Sequence, residues 1–273
     1  MMRLFEQAAL AAGRAILDVC AAGPHVTLKS DASPVTEADQ RAETIILAAL
    51  AKAMPDVPVV AEEAVAAGNV PDTNGRSFLL VDPLDGTREF IAGRPEFTVN
   101  IALIEDGVPL AGIVYAPALG VAYLGSKAGA EKLTVSPNFE VTERHPITVR
   151  PCPSVPLAVA SRSHNSPETE RYLKDNGITE HCSIGSSLKF CLLAEGAADI
   201  YPRFSRTMEW DTAAGDAVLR AAGGATLCLD GRPLAYGKRH QLSDVDFANP
   251  FFIAHGADAK ASCSASGADS VAP

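Results

Sequence analysis

The sequence predicts a layered fold of mixed α and β structure whose first sheet is mostly antiparallel. Two long segments near the start carry apolar residues at helical spacing, from about Leu4 to Cys20 and from about Thr36 to Met54. Farther on, two apolar runs joined by Glu105-Asp106-Gly107 have the pattern of a hairpin, whose strands are antiparallel. Beyond residue 156 strands and helices follow one another, which predicts an α/β region in the second part of the chain.

The first two helices have clear stop signals. The first ends at Ala21-Ala22-Gly23-Pro24, because glycine and proline interrupt helical spacing. The second has Thr36 as its predicted N-cap and Pro55 as its terminator. Val57 to Ala61 is then a short predicted strand, which delivers Glu62-Glu63 at its end.

The central part of the chain is predicted to form a sheet. The apolar run Phe78 to Val81 is a predicted buried strand that ends at Asp82-Pro83-Leu84-Asp85-Gly86-Thr87, and a short helix is predicted over Thr87 to Ile91. The strands predicted after it are Phe97 to Ile104, Val108 to Tyr115 and Val121 to Leu124. Residues 126–156 are polar and contain prolines, which indicates a domain boundary or an inserted loop.

The second part supplies the remaining elements. The predicted strands are Leu157 to Ser161, Ala198 to Arg203, Ala225 to Leu229 and Phe251 to Ala254, and the predicted helices are Pro167 to Asp175, Ser186 to Glu195 and Thr212 to Ala222. We therefore predict an N-terminal α+β region over residues 1–150 and a C-terminal α/β region over 151–256. Residues 257–273 are rich in Ala, Ser, Asp and Gly and are predicted to be disordered.

Composition excludes several classes of protein. The formal net charge of −10 argues against a surface that binds nucleic acid through its phosphates. No apolar run approaches the roughly 20 residues that span a bilayer, and the amphipathic start is unlike a signal peptide, which predicts a cytoplasmic protein. The six cysteines have neither Cys-x-x-Cys spacing nor a histidine at ligand spacing, so we interpret them as reduced thiols.

The motif Asp82-Pro83-Leu84-Asp85-Gly86-Thr87 combines groups that bind cations with groups that bind anions. Pro83 turns the chain so that both carboxylates can converge, and such oxygens are the ligands that hard divalent ions prefer. Gly86 removes a side chain that would keep an anion from the backbone, and Thr87 offers a hydroxyl and an N–H at a helix start. The pattern indicates metal-assisted phosphoryl chemistry. Asp-Pro and Asp-Gly steps are also common in ordinary turns, so the motif alone leaves both interpretations open.

Three more acidic residues stand at predicted element boundaries. Glu62 follows a strand, Asp211 lies at a helix start, and Asp39 lies on the first turn of the helix that begins at Thr36. Two divalent ions need several shared carboxylates, which Glu62, Asp82, Asp85 and Asp211 could supply. The alternatives are that Glu62 is a surface acid and that Asp211 is only an N-cap. Spacing along the chain does not establish that these groups meet.

Four segments in combination resemble the inositol monophosphatase superfamily, the lithium-sensitive, magnesium-dependent phosphomonoesterases. They are Pro34-Val35-Thr36-Glu37-Ala38-Asp39, Glu62-Glu63, Asp82 to Thr87, and Trp210-Asp211-Thr212-Ala213-Ala214-Gly215-Asp216. The resemblance implies an α-β-α-β-α sandwich with a cleft between its two regions.

Within that superfamily the chain resembles the CysQ-type 3′(2′),5′-bisphosphate nucleotidases. The segments that carry this resemblance are Gly86-Thr87-Arg88-Glu89-Phe90-Ile91 and Gly185-Ser186-Ser187-Leu188-Lys189-Phe190-Cys191. Inositol phosphatases usually have an Asn-Phe pair where this chain has Glu89-Phe90. Arg88 stands where this branch often has lysine, a departure that keeps the charge.

The resemblance also assigns roles to residues. The implied metal ligands for two or three Mg²⁺ ions are Glu62, Asp82, the carbonyl of Leu84, Asp85 and Asp211. The implied catalytic residues are Asp39, Thr87 and Glu62, with Asp39 and Thr87 activating the attacking water. The implied substrate-binding residues are Glu62, Leu84, Asp85, Gly86, Thr87, His164, Ser186, Lys189, Arg203 and Asp211. Of these, Ser186, Lys189 and Arg203 are the candidates for the phosphate that is not hydrolysed, and His164 for the ribose or adenine. Lys189 as a helix-surface lysine and His164 as a loop hydrogen bonder are the structural alternatives.

The implied activity is hydrolysis of adenosine 3′,5′-bisphosphate to AMP and phosphate, with its sulfated form as a further candidate substrate. Two alternatives are an inositol or sugar phosphate phosphatase of the same fold and a non-catalytic metal- or nucleotide-binding module. The expected partner is a small bisphosphate nucleotide and not a nucleic acid. Some members of this branch occur at the cytoplasmic face of the inner membrane, so for a chain without an anchor any such association would be peripheral. The sequence does not distinguish a monomer from a homodimer.

Overall fold

The computed structural model describes residues 1–28, 34–162 and 166–257 of the 273-residue chain. These residues form seven α-helices: α1 (Met2–Ala22), α2 (Glu37–Ala53), α3 (Glu62–Ala66), α4 (Thr87–Ile91), α5 (Pro167–Asp175), α6 (Leu188–Ala194) and α7 (Glu209–Ala221). Their strands before residue 150 are β1 (Val26–Leu28), β2 (Pro34–Thr36), β3 (Val59–Ala61), β4 (Phe78–Asp85), β5 (Thr98–Glu105), β6 (Val108–Ala116), β7 (Val121–Ser126), β8 (Gly129–Val135) and β9 (Val141–Ile147). Those after it are β10 (Leu157–Ser161), β11 (Glu180–Ile184), β12 (Ile200–Arg203), β13 (Ala225–Cys228) and β14 (Phe252–His255).

The larger sheet has seven strands in the sequential order β3-β4-β5-β6-β7-β8-β9. β3 pairs with β4 in parallel, and every other neighbouring pair is antiparallel. This arrangement confirms the prediction of a mostly antiparallel first sheet. The smaller sheet has the order β11-β10-β12-β14-β13 and mixes parallel with antiparallel pairs.

The helices and sheets are stacked in five layers. Helices α1 and α2 bury their apolar sides against one face of the seven-stranded sheet, where Phe5, Ile16, Ile46 and Leu50 are fully buried. The opposite face packs against α6 and α7, which lie between the two sheets. Helix α5 covers the outer face of the smaller sheet through Leu173. The α-β-α-β-α sandwich that the resemblance implied is thereby confirmed.

Helix α7 lies unusually close to the larger sheet because two strands carry glycine beneath it. A Cβ atom placed on Gly125 would lie 2.5 Å from the Cα atom of Val218, and one on Gly112 would lie 2.8 Å from the carbonyl oxygen of Ala214. Real Cβ atoms do not approach backbone atoms this closely, so glycine is required for this packing. The two glycines therefore let the middle of α7 pack directly on β6 and β7.

The interpretation of residues 126–156 as a boundary or an inserted loop was wrong for most of that segment. β8 and β9 occupy much of it and complete the seven-stranded sheet, and β8 reaches one core cluster through Ala130 and the other through Leu133 and Val135. The exposed positions of β9, at the sheet edge, conceal its strand pattern. The chain passes from the larger sheet to the smaller one between Ile147 and Leu157. One apolar core contains residues from both 1–150 and 151–256, so the division into two regions at residue 150 stays a prediction.

Candidate active site

The acidic loop is the end of β4 and the turn that follows it. β4 continues through Pro83 to Asp85, and its register against β5 shifts between Asp82 and Asp85. Within this irregular stretch the backbone N–H of Leu84 donates a hydrogen bond to Asp82 Oδ1 at 2.9 Å. Gly86 then adopts a left-handed conformation with φ of 94° before α4 begins at Thr87, as predicted. The bulge directs both carboxylates toward the same cleft.

Asp39 reaches this loop from the start of α2. Thr36 is the N-cap, and Asp39 Oδ2 accepts hydrogen bonds from the backbone N–H and the hydroxyl of Thr36, each at 2.7 Å. The second oxygen, Oδ1, accepts a hydrogen bond from the hydroxyl of Thr87 at 3.3 Å. Burial raises the pKa of Asp39, the hydrogen bonds from Thr36 lower it, and the charge of Glu62 raises it. The predicted Asp39–Thr87 pair is therefore in contact.

Glu62 is brought to the loop by the parallel pairing of β3 with β4. Ala61 lies opposite Val81 in that pair, so the residues that follow them, Glu62 and Asp82, are neighbours at the same sheet end. Both line the cleft. Glu63 is not among the residues that line the cleft, and its backbone N–H donates to Glu43 Oε2 at 2.9 Å. Of the two adjacent glutamates, Glu62 is thus the one that faces the site.

Asp211 enters from the opposite side, on the first turn of α7. The helix begins at Glu209, three residues before the predicted start at Thr212, so Asp211 is not the N-cap but the third helical residue. Its Oδ2 atom accepts a hydrogen bond from the backbone N–H of Met208 at 2.8 Å. Glu209 anchors the same turn, since its carboxylate accepts hydrogen bonds from the backbone N–H groups of Gly237 and Lys238 at 2.6 and 2.9 Å.

These carboxylates repel one another in the absence of a cation. Burial and the charges of Glu62, Asp85 and Asp211 raise the pKa of Asp82 well above its usual value. Burial also raises the pKa of Asp85 to about 6, although Lys189 opposes that shift, and burial with Asp85 and Glu62 raises the pKa of Asp211 to about 8. Oxygen ligands whose negative charges repel one another are suited to binding a hard divalent cation.

The acidic side chains do not by themselves surround a metal position. Within residues 1–28, 34–162 and 166–257, no three acidic, histidine or cysteine side chains form a ready-made metal cluster. The Leu84 carbonyl, another oxygen in the cleft, lies 3.3 Å from Thr87 Oγ1 and is an alternative acceptor for the single proton of that hydroxyl. Hard cations commonly complete their shells with backbone oxygens, water and substrate phosphates, so an open set of carboxylates is compatible with such a site.

Two buried cations occupy the other wall of the cleft. Lys189 is 4% exposed and donates hydrogen bonds to the carbonyl oxygens of Ile184 and Ser186 at 3.3 and 2.5 Å. Burial lowers the pKa of this lysine to about 8, while the charge of Asp85 raises it. Arg203 is 7% exposed and donates to the carbonyl oxygens of Ser205 and Arg206. Lys189 is therefore not a surface lysine, and the alternative interpretation of it was wrong.

The remaining predicted substrate contacts have different outcomes. Ser186 lines the cleft, and its φ of 53° is unusual for a residue other than glycine. His164 lies outside the described residues. Several cleft residues were not anticipated: Pro34, Arg88, Glu89, Ser161, Ser187, Tyr201, Arg206 and Thr207. For Glu89, the signal was its place within Gly86-Thr87-Arg88-Glu89-Phe90, but its burial, at 4% exposure, depends on contacts that spacing along the chain does not encode.

The sequence has clear relatives. Residues 1–252 match the model of the inositol monophosphatase family. The chain is 46% identical over 256 residues to the 3′(2′),5′-bisphosphate nucleotidase CysQ of Salmonella typhimurium, which covers 92% of this chain and 98% of that protein. It is 41% identical over 233 residues to the protein of the same name from Buchnera aphidicola, over 84% of this chain and 83% of that protein.

Solved structures share the fold. The crystal structure of CysQ from Bacteroides thetaiotaomicron, a bacterial member of the inositol monophosphatase family, matches with a TM-score of 0.77 at 38% identity, over 93% of this chain and 96% of that chain. An inositol monophosphatase from Zymomonas mobilis matches with a TM-score of 0.70 at 28% identity, over 93% of this chain and 91% of that one. Among the described residues, no helix has the length and apolar character needed to cross a membrane.

Proposed function

The chain belongs to the inositol monophosphatase family, and from that premise we propose that it is a phosphatase of 3′(2′),5′-bisphosphate nucleotides. The reaction is hydrolysis of adenosine 3′,5′-bisphosphate to AMP and phosphate. The observation that carries the proposal is that two buried cations, Lys189 and Arg203, line the same cleft as five acidic side chains, four of which are the proposed metal ligands. A substrate with two separate phosphates needs both a place for cleavage and a second group of positive charges.

The acidic wall is the proposed metal site. Glu62, Asp82, Asp85, Asp211 and the carbonyl of Leu84 would hold two or three Mg²⁺ ions, and this assignment is supported by their shared cleft and the raised pKa values of the three aspartates. When bound, the ions would neutralise charge on the reacting phosphate and lower the pKa of the attacking water. Lithium inhibition is proposed on the same basis, since a small cation could occupy one position with less charge.

The Thr87–Asp39 pair is the proposed route for the proton of the attacking water. The Thr87 hydroxyl already donates to Asp39, so its oxygen lone pairs are available to accept a proton at Oγ1 while its own proton passes to Asp39 Oδ1. Burial raises the pKa of Asp39 and so makes that carboxylate a better proton acceptor. No covalent protein intermediate is required, because phosphoryl transfer depends mainly on positioning and charge stabilisation.

The cation wall is the proposed binding site for the phosphate that stays on the nucleotide. Ser186 offers a hydroxyl there, while Lys189 and Arg203 offer charge in a desolvated position where each interaction is stronger than in water. A cytoplasmic location is proposed with it, because the cysteines of the described residues (Cys20, Cys152, Cys182, Cys191 and Cys228) are all free. Any membrane association is proposed to be peripheral, and the protein is proposed to act as a monomer or a homodimer.

One experiment tests the proposal. Phosphate release is measured from adenosine 3′,5′-bisphosphate, its 5′-phosphosulfate analogue, inositol 1-phosphate and fructose 1,6-bisphosphate, with Mg²⁺ or with EDTA, and with or without lithium. We expect Mg²⁺-dependent turnover that is fastest for a bisphosphate nucleotide. Equal or faster turnover of inositol 1-phosphate would overturn the nucleotide assignment, and the absence of Mg²⁺-dependent turnover of any ester would favour a binding module.

A further inference from the structure

Three buried polar side chains form a hydrogen-bonded trio behind the acidic loop. Thr98 and Asn100 lie on β5, and Ser187 immediately precedes α6. The exposed fractions are 0% for Thr98, 1% for Asn100 and 2% for Ser187. The Ser187–Asn100 contact spans 87 positions of the sequence, and the Thr98–Ser187 contact spans 89. The trio therefore connects the larger sheet to the segment that carries Lys189.

The hydrogen bonds of the trio run in one direction. The Ser187 hydroxyl donates to Asn100 Oδ1 at 2.7 Å, and it also lies 2.9 Å from the Thr98 hydroxyl. A serine hydroxyl has a single proton, which Ser187 uses on Asn100, so Thr98 must be the donor in the second contact. Thr98 therefore orients Ser187, and Ser187 in turn orients the Asn100 amide.

The trio lies on the same face of the sheet as the acidic loop. In the β4–β5 pairing, Asn100 is opposite Asp82 and Thr98 is opposite Asp85. Residues directly opposite in an antiparallel pair have their side chains on the same face, a few ångströms apart. Two members of the trio are thus the cross-strand neighbours of two proposed metal ligands.

Ser187 contacts the acidic loop as well. A hydrogen bond from its backbone to the Asp85 carboxylate lowers the pKa of that group. The residue before it, Ser186, has a left-handed φ of 53°, and the ammonium group of Lys189 is bonded to the carbonyl oxygen of Ser186. A strained turn of this kind persists only where its surroundings hold it. Here one side is held by Lys189 and the other by Thr98 and Asn100.

Asn100 has one further property that a purely structural network would not need. Its Nδ2 atom is buried and has no hydrogen-bond partner among the described residues. Buried donors are paired in the great majority of cases, so an unpaired donor directly behind the carboxylates of the cleft indicates a group that is retained for more than packing. The neighbour of Asn100 across the ladder, Asp82, belongs to the proposed metal site.

We propose that Thr98, Ser187 and Asn100 are positioning residues that hold the Asp85 carboxylate and the turn before Lys189 in the geometry needed to bind divalent cations. The inference rests on the proposed function of the cleft. It extends that function to three uncharged residues that are not among the proposed metal or substrate ligands. Thr98 is the first donor in this series of hydrogen bonds, and the inference assigns its hydroxyl an effect on metal affinity.

The test compares Thr98→Val with Thr226→Val. Both threonines are on strands and buried, at 0% and 1% exposure, but Thr98 is the cross-strand neighbour of Asp85, whereas Thr226 lies on β13 opposite Ala254. Mg²⁺ binding is measured without substrate by calorimetric titration and by the Mg²⁺-induced shift of the unfolding temperature. We expect Thr98→Val to weaken Mg²⁺ binding about tenfold, as is usual when a group that orients metal ligands is lost. Thr226→Val should retain wild-type affinity, and Thr98→Ser should restore it because it keeps the hydroxyl.

The outcomes separate this inference from the proposed substrate. Unchanged Mg²⁺ affinity in Thr98→Val, or an equal loss in Thr226→Val, would overturn the inference even if the wild type hydrolyses bisphosphate nucleotides. Should Thr98→Val fail to fold, Ser187→Ala gives the same comparison, since it removes the hydroxyl but keeps the backbone N–H that reaches Asp85. Weakened Mg²⁺ binding in these variants, with a wild type that does not cleave nucleotides, would support the inference and overturn only the substrate.

Discussion

The Thr87 hydroxyl and the Asp39 carboxylate, 48 residues apart in the chain, share a hydrogen bond of 3.3 Å at the edge of the cleft. The other oxygen of Asp39 is held by the N-cap of α2, which leaves this carboxylate little freedom to rotate. The capping interaction that begins a helix therefore also orients a proposed catalytic group. This relationship gives Thr87 a role that depends on its proton and not on its size.

Thr87→Val should lower kcat by about 100-fold or more, because loss of an acid–base group typically costs that much. The side chain keeps its shape but can no longer pass a proton to Asp39. Steady-state kinetics with adenosine 3′,5′-bisphosphate measures the effect. Thr44→Val is the matched control, since Thr44 is exposed on α2 and donates only to the Gln40 carbonyl. A Thr87→Val enzyme with more than a tenth of wild-type kcat would contradict the proton route, whereas Thr87→Ser should stay active.

The metal-free protein should become less stable as the pH rises from about 4 to about 8. Asp85 and Asp211 have pKa values of about 6 and about 8 in the folded protein, above the ordinary 3.8. The folded state therefore holds protons that the unfolded state has already lost, and the free energy of unfolding falls with rising pH. Thermal denaturation in EDTA measures this slope.

Added Mg²⁺ should flatten the same slope, because the cation takes the place of the protons between the carboxylates. Denaturation midpoints at pH 5, 6.5 and 8, each with EDTA or with Mg²⁺, make the comparison. Asp82→Asn should also reduce the slope in EDTA, since it removes one of the repelling charges. A midpoint in EDTA that rises steadily over this range would argue against carboxylate repulsion in the cleft.

Lys189→Met should raise KM for adenosine 3′,5′-bisphosphate about tenfold or more, because a hydrogen bond from a charged donor contributes roughly 1.5–3 kcal/mol. The KM of adenosine 3′-monophosphate, which lacks the second phosphate, should change much less. Lys132→Met is the control, since Lys132 pairs with Glu195 at 2.6 Å outside the cleft. Equal effects on both substrates would show that Lys189 does not recognise the phosphate that is retained.

Gly185→Ala should destabilise the protein by roughly 1–3 kcal/mol, the usual cost of an overpacked buried position. A Cβ atom there would lie 2.7 Å from both Glu89 Cγ and the carbonyl oxygen of Glu96, whereas one on Gly256 would meet nothing closer than 3.6 Å. Urea denaturation of Gly185→Ala and Gly256→Ala compares the two. A loss of stability in Gly256→Ala as large as that in Gly185→Ala would mean that close packing is not the cause.

Local sequence patterns were sufficient for much of the fold. The Thr36 cap, the short helix that starts at Thr87 and the hairpin around Asp106 all depend on neighbouring residues, and each is confirmed. The segments that were missed depend on distant ones. β1, β2 and β11 are short or exposed. β8 and β9 contain many polar residues and are strands because β8 pairs with both β7 and β9 in the larger sheet.

The sequence by itself determined the chemistry that this protein has available, since paired aspartates, a glycine turn and a threonine at a helix start are all written within Asp82 to Thr87. Only the tertiary structure decided which distant groups join them. The parallel register of β3 brings Glu62 to Asp82, and the glycines under α7 let that helix carry Asp211 to the cleft. The trio of Thr98, Ser187 and Asn100 arose in the same way. The physical reason is that a contact across the fold depends on packing and strand pairing, which spacing along the chain does not encode.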